Sequence, residues 1–385
     1  MDADWPLGSR VGVVGGGQLG RMMGEAATPL GVELVVLDPT PHAPASPVAR
    51  EQIVAEFDDR DAVERLARGS DVLTYEIELA DPDVLEALEE RTGTPVHPAP
   101  ETLRRIEDKF VQKRTLDEAG IPVSPCRAVE TAEDVREACD DLGYPAMLKA
   151  RRGGYDGRGT IPVRNEDEIA GAIEAMGGDL MIESFVPFVR ELSVIGVKGD
   201  GEREAYVAGE NEHEAEILRE TIVPARTGDE VLERARSVAD DVLDLMVGRG
   251  VFGIELFELD DGAVLVNEIA PRPHNSGHWT IEGAVTSQFE QHIRAVVGGP
   301  LGATGLRTPI VTANILGDVE SPAPAAPNGI SELLAARDAR LHWYGKREVR
   351  RLRKMGHIAV YDPGVVDRDE LLARARNYKR TITFT

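Results

Sequence analysis

Apolar residues in the first hundred positions come in short continuous runs separated by polar stretches of helical period. Val11 to Val14 breaks into Gly15-Gly-Gly-Gln-Leu-Gly20 and a helical stretch, and 32–37 is a second apolar run ending at Asp38. The pattern predicts a strand, a glycine turn, a helix and a parallel strand. A helix over 61–68 and a strand over 71–75 continue the alternation, so 1–100 reads as a small doubly wound α/β domain ended by Pro95, Pro98 and Pro100. The pattern then turns to α+β over 101–300, in two lobes of about 101–180 and 181–300. It predicts helices over 102–119 and 132–142 and a strand over 145–150 that runs into a glycine-rich loop. Strands over 180–184, 191–198, 203–209 and 252–269 surround a helix at about 229–247. A Pro- and Ala-rich stretch at 321–328 interrupts a last region, 301–385, of short strands and a final helix near 368–378.

Composition narrows the chemistry. The formal net charge of -25 excludes a broad nucleic-acid footprint, which needs clustered Lys and Arg without offsetting acids. Lys occurs only at 109, 113, 149, 198, 346, 354 and 379, and so acidic and Lys-poor a surface suits a protein kept soluble in high salt. Cys126 and Cys139 are too few for a disulfide framework or a zinc site, which fits a reducing cytosol. No apolar run reaches the ~20 residues that span a bilayer, and a soluble, cytoplasmic protein without membrane partners is expected.

The most informative local pattern is the hairpin 252–269, with Asp261-Gly262 as a two-residue turn between apolar strands. That turn places Asp260 opposite Ala263 and, further along, Glu255 opposite Glu268. The two carboxylates would stand about 5 Å apart on one face, where bare like charges repel. A divalent cation removes the conflict, and carboxylates plus nucleotide phosphates commonly hold Mg²⁺. Two solvated glutamates on an exposed hairpin are the plainer alternative.

Lys149-Ala-Arg-Arg-Gly-Gly-Tyr-Asp-Gly-Arg-Gly159 delivers a lysine and a basic glycine-rich loop, suited to phosphate though not a Walker A sequence. Asn267 to Thr280 runs from a strand into a turn where Arg272, His274, Asn275, Ser276 and His278 can converge on an anion. Trp343 to His357 is the one basic cluster in an acidic chain, either a solvated face or a phosphate-ester clamp. Gly15 to Gly20 with Asp38 also satisfies the dinucleotide fingerprint, so a nicotinamide-dependent dehydrogenase is a rival. It leaves the paired glutamates and the basic cluster unexplained.

Taken together, Gly-Gly-Gln-Leu-Gly-Arg-Met, Gly-Gly-Tyr-Asp-Gly-Arg-Gly, Asn-Glu-Ile-Ala-Pro-Arg-Pro-His-Asn-Ser-Gly-His-Trp-Thr and Arg-Lys-Met-Gly-His resemble the N5-carboxyaminoimidazole ribonucleotide synthetases of purine biosynthesis, from Gly15 to His357. The resemblance implies an ATP-grasp fold with an N-terminal α/β domain and a small C-terminal β-rich domain. It implies ATP- and bicarbonate-dependent carboxylation of 5-aminoimidazole ribonucleotide through carboxyphosphate, with Mg²⁺ or Mn²⁺. A homodimer, and a separate mutase that takes the product, are implied in the same way.

By that resemblance Lys109 and Lys149 contact ATP phosphates under a loop of Gly154, Tyr155, Asp156, Gly157, Arg158, Gly159 and Thr160. Glu183, Ser184, Phe185 and Val186 meet adenine, Glu191 meets the ribose, His213 and Asn267 complete the nucleotide site, and Glu255 and Glu268 hold the metal. Gln18, Leu19, Glu76, Tyr155 and Arg158 face the ribonucleotide, with Asn275 and Ser276 in the turn beside it, and Lys346, Arg353 and Lys354 clamp its 5′-phosphate. Asp156, Arg272, His278 and Lys354 are the expected catalytic groups, Asp156 for the amine proton. The family usually reads Arg-Pro-Gly-Arg-Lys where this chain has Arg350-Arg-Leu-Arg-Lys354, so the clamp charges are implied but not the loop path. Formate-dependent transformylases and biotin carboxylases share the ATP machinery; the His-Asn-Ser-Gly-His-Trp turn favours the aminoimidazole carboxylase.

Overall fold

A computed structural model of the protein describes residues 5–77, 80–153 and 159–384. The apolar runs of the first hundred residues form a four-stranded parallel sheet in the order Glu51–Ile53, Glu33–Leu37, Arg10–Val14, Val72–Tyr75. Its three longer strands are buried on both faces, as their continuous apolar runs require, and separate cores fill the two sides. The helix Gln18–Ala27 follows the first strand and packs on the helix Gln288–Val296, which joins this domain to the rest.

The next lobe is an antiparallel sheet in the order Cys126–Val129, Leu180–Ser184, Ala146–Ala150, Thr160–Val163, backed by helices Ala132–Leu142 and Ile169–Met176. A capping box, Thr131 with Asp134, starts the first of these helices where the sequence places it. The continuous helix expected over 102–119 is instead two, Pro100–Glu107 and Lys109–Glu118. Asp108 breaks it by turning extended and accepting from the N–H groups of Phe110 and Val111, which restarts the helix one residue later. Lys109 thereby becomes a first-turn residue at the rim of the site.

A nine-stranded antiparallel sheet carries the remaining chain, its main path running Val264–Ala270, Gly250–Glu258, Arg190–Lys198, Gly209–Glu214, Ile217–Val223, Ile310–Leu316, Lys354–Val360, Ala339–Trp343. The strand expected over 203–209 ends at Ala205, and the hairpin of Gly209–Glu214 with Ile217–Val223 has no counterpart among the expected elements. Its first strand, Gly-Glu-Asn-Glu-His-Glu, hides by composition; the sheet flanks it on both sides and pairs Glu210 with Arg226. The last three strands of the path come from the C-terminal region, so the basic cluster is built on the sheet that carries Glu255 and Glu268. No described helix is long and apolar enough to cross a membrane.

Candidate active site

The expected two-residue turn at Asp261-Gly262 does not form. Leu259 N–H donates to Ala263 O at 2.9 Å, Asp261 Oδ1 accepts from Ala263 N–H, and Gly262 takes φ 76°, so Asp260, Asp261 and Gly262 make a three-residue loop. Leu259, not Asp260, faces Ala263, and Glu258 faces Val264. A second departure follows: the register slips by one between Glu255 and Leu256, with Asn267 as the extra residue. The two departures cancel, and Glu255 does stand opposite Glu268.

The pair behaves as like charges in a crevice must. Burial and then the Glu268 charge push the Glu255 carboxyl up to about 7. Burial works in the same direction on Glu268, but Lys109, whose Nζ lies 2.7 Å from Glu268 Oε1, outweighs it and lowers that carboxyl. His274 Nε2 is 3.6 Å from Glu255 Oε1, an approach that needs Gly253, since a Cβ there would lie 2.4 Å from the His274 Cβ.

In the lobe before it, on the strand Leu180–Ser184, Glu183 is a buried carboxylate between two lysines. Lys149 pairs with one oxygen and Lys113 Nζ lies 2.9 Å from the other, while Ser124 Oγ donates to that oxygen at 3.0 Å. Together the lysines hold Glu183 down at about 2 against the opposing pull of burial. Lys113 was not among the expected site residues; its helical i, i+4 spacing from Lys109 was the signal available. Phe185 is exposed and Val186 buried just beyond Ser184. Glu191 Oε2 lies 2.9 Å from His213 Nδ1 and raises that imidazole over the opposing effect of burial. Gly159 and Thr160 lead into the strand Thr160–Val163; Gly154, Tyr155, Asp156, Gly157 and Arg158 lie outside the described residues.

On the opposite side, Glu76 follows the strand Val72–Tyr75 and accepts from the backbone N–H of Gly17 and Gly20, a helix N-terminus with a carboxylate already in it. Gly15, at φ 108°, leaves room for it: a Cβ there would lie 2.4 Å from Glu76 Cγ. Burial raises the Glu76 carboxyl, and Arg272 acts on it in the other direction. Gln18 opens the helix, while the Leu19 side chain is in the core. Lys346 Nζ donates to Lys354 O at 2.7 Å, and burial, then Arg353, bring its ammonium down to about 7. Arg353 donates to Glu348 O. Lys354 acts on Glu255, so the basic cluster and the glutamate pair share one field.

The turn after Glu268 divides. Arg272, His274 and Asn275 are partly open, whereas Ser276 and His278 are 0% and 1% exposed. His278 stacks on His357 at 4.7 Å and sits behind the crevice, and Ser276 Oγ bonds His274 Nδ1 at 2.9 Å.

Three family models match in sequence order: a ribonucleotide synthetase preATP-grasp domain over 9–107, an ATP-grasp domain over 114–289 and a phosphoribosylaminoimidazole carboxylase C-terminal domain over 311–370. The N5-carboxyaminoimidazole ribonucleotide synthase of Bacillus subtilis is 40% identical over 91% of this chain and 91% of its own length. The chain belongs to the N5-carboxyaminoimidazole ribonucleotide synthase family. The family member of Brucella melitensis is 41% identical over 93% of this chain and 98% of its own. The Aspergillus clavatus synthase, solved with ADP and 5-aminoimidazole ribonucleotide, superposes at a TM-score of 0.90 with 35% identity, covering 98% of this chain and 99% of that one. Like other synthases of this family, the chain is an ATP-dependent ligase that forms a C–N bond.

Its departure from the family's Pro-Gly turn is absorbed by the backbone. Leu352, at the family's glycine position, takes φ 62°, donates to Gly317 O at 2.8 Å, and leaves Arg353 N–H on Arg350 O at 3.0 Å. A leucine in that left-handed region is strained. Leu352→Gly is expected to stabilise the protein by about 1 kcal/mol in urea unfolding; a net loss would mean that the leucine side chain packs more favourably than its backbone is strained.

Proposed function

We propose that this chain carboxylates the exocyclic amine of 5-aminoimidazole ribonucleotide with ATP and bicarbonate, through carboxyphosphate, in purine biosynthesis. The observation that carries the reading is one sheet bearing both the Glu255–Glu268 pair and, on Lys354–Val360, the end of the Lys346, Arg353 and Lys354 cluster. The Lys354 charge also acts on Glu255, and phosphoryl transfer and phosphate-ester binding are therefore assigned to one crevice.

Glu255 and Glu268 fit Mg²⁺ or Mn²⁺: both are oxygen donors, they face each other, and Glu255 lacks a full countercharge of its own. Among the described residues no group of three or more His, Cys, Asp or Glu could hold a metal by itself, and nucleotide phosphates and water would have to supply the other ligands. When bound, the cation offsets charge on the phosphate oxygens.

Lys109 and Lys149 offset the remaining triphosphate charge. Glu183 to Val186 receive adenine, Glu191 and His213 the ribose, and Asn267, at the bulge, lies beside the phosphates. Bicarbonate oxygen attacks the γ-phosphate and displaces ADP, giving carboxyphosphate, with Arg272, Asn275 and Lys354 holding the acid, and catalysis there is mostly positioning and electrostatics. Carboxyphosphate then yields phosphate and CO₂, and the amine captures the CO₂ while losing a proton, which Asp156 receives. Gln18, Leu19 through its backbone, and Glu76 orient the base, and Lys346 with Arg353 grips the 5′-phosphate. Ser276 and His278 act from behind, by fixing His274 and the turn. The working form is a cytosolic homodimer suited to high salt, and its product passes to a separate mutase.

The reading is tested by ADP release in the presence of bicarbonate. Release is expected to rise severalfold on adding 5-aminoimidazole ribonucleotide and to be unmoved by glycinamide ribonucleotide. Indifference to the imidazole ribonucleotide would overturn the substrate assignment.

A further inference from the structure

Two ammonium groups share the Glu183 carboxylate, yet their surroundings differ. Lys113 is 3% exposed, on the helix Lys109–Glu118, and its Nζ is 2.8 Å from Ser124 Oγ and 2.9 Å from Glu183 Oε2. Lys149 is 16% exposed, stands on the strand Ala146–Ala150, and already lowers the Glu268 carboxyl across the crevice. One lysine is locked inside; the other stands at the mouth of the site with a second anionic centre within its field.

We infer that Lys113 is a positioning residue that serves as the standing countercharge of Glu183, so that Lys149 is free to leave that carboxylate for the triphosphate of the bound nucleotide. The inference rests on the proposed nucleotide site. A buried carboxylate stripped of its only cation is costly. Without Lys113, Glu183 would hold Lys149 in place, and each phosphate contact made by Lys149 would expose an uncompensated Glu183. With Lys113 present, Glu183 keeps an ammonium and a hydroxyl partner whichever way Lys149 points. Two lysines on one carboxylate also leave a net positive charge, which an arriving polyphosphate neutralises. Lys113 therefore acts on the phosphate part of the ligand while its own ammonium stays beneath the crevice floor.

The test compares ADP with adenosine by calorimetry on the purified full chain, in the wild type, Lys113→Met, Glu183→Gln and the double variant. In Lys113→Met, ADP affinity is expected to fall on the order of 30-fold, the scale of losing one partner of a buried charge pair, while adenosine affinity changes less than about threefold. Adding Glu183→Gln removes the carboxylate that detains Lys149, so the double variant is expected to regain ADP affinity to within about threefold of Glu183→Gln alone. Equal losses for ADP and adenosine, or a double variant weaker than both single ones, would overturn the inference and leave Lys113 as fold support only. The double variant removes the buried Lys113 and Glu183 charges together and leaves only the more exposed Lys149 without its carboxylate, so its ADP affinity decides between the two outcomes even if Lys113→Met does not fold. Should the wild type fail to bind ADP, the nucleotide-site reading itself falls, a result distinct from any of these.

Discussion

Glu268→Gln is expected to lower ADP formation about 10³-fold, the scale set by losing one group that stabilises charge in the transition state, without unfolding the protein. The substitution removes one carboxylate of the proposed metal pair and the partner of Lys109 Nζ at the rim of the crevice. It also lifts the charge that helps push Glu255 up, so the Glu255 carboxyl is expected to fall back toward its ordinary 4.5 from about 7. That shift has a sign in stability. A carboxyl raised on folding contributes stability that is fully present below pH 4.5 and lost as the pH rises through 7, here about 3 kcal/mol by pH 8. Glu268→Gln should recover part of that loss, while Mg²⁺ should recover it in the parent protein. Urea unfolding of both proteins at pH 5.5 and pH 8, with and without Mg²⁺, checks this. Cation stabilisation as large at pH 5.5 as at pH 8 would contradict the assignment of Glu255 as the titrating metal ligand.

Acid is expected to act in the opposite direction, at the joint between the N-terminal domain and the rest. Thr74 Oγ1 meets His292 Nε2 at 2.8 Å, and His292 Nδ1 accepts from Val251 N–H, an arrangement that requires the neutral imidazole. Burial takes His292 down to about 3, and burial followed by the Arg249 charge takes His97 down to about 4. A histidine lowered on folding contributes stability that is complete above pH 6.5 and lost as the pH falls toward its folded value. The two together should cost about 5 kcal/mol between pH 7 and pH 4.5. His274, His278 and His357 are lowered in the same direction. The measurement is urea unfolding from pH 7.5 to 4.5, where His292→Asn should flatten the slope by about 1.4 kcal/mol per pH unit below pH 6. An unchanged slope would remove His292 from the acid response.

The Glu255–Glu268 pairing follows from a turn signal whose loop is one residue longer than expected, and it survives because the bulge at Asn267 slips the register back. No local pattern marks that bulge. Asp108 reads as a residue inside a helix, and only the converging Arg151 and the freed N–H groups of the next turn show it as a cap. The basic C-terminal cluster is legible as charge, but its place beside the glutamates depends on three C-terminal strands extending the central sheet.

By itself the sequence determined the alternating parallel N-terminal domain, the glycine turns, the face of the hairpin that carries the glutamates, and the motifs that mark the family. These rest on period, turn chemistry and spacing, which act within one or two elements. The tertiary structure alone decided that Glu183 is shared by Lys113 and Lys149, that Glu76 fills a helix N-terminus, that His278 stacks behind the crevice, and that Leu352 keeps a glycine's conformation. Each of these is a balance of burial and charge among groups brought together from distant parts of the chain, or, for Leu352, a backbone strain tolerated because the surrounding sheet holds the turn.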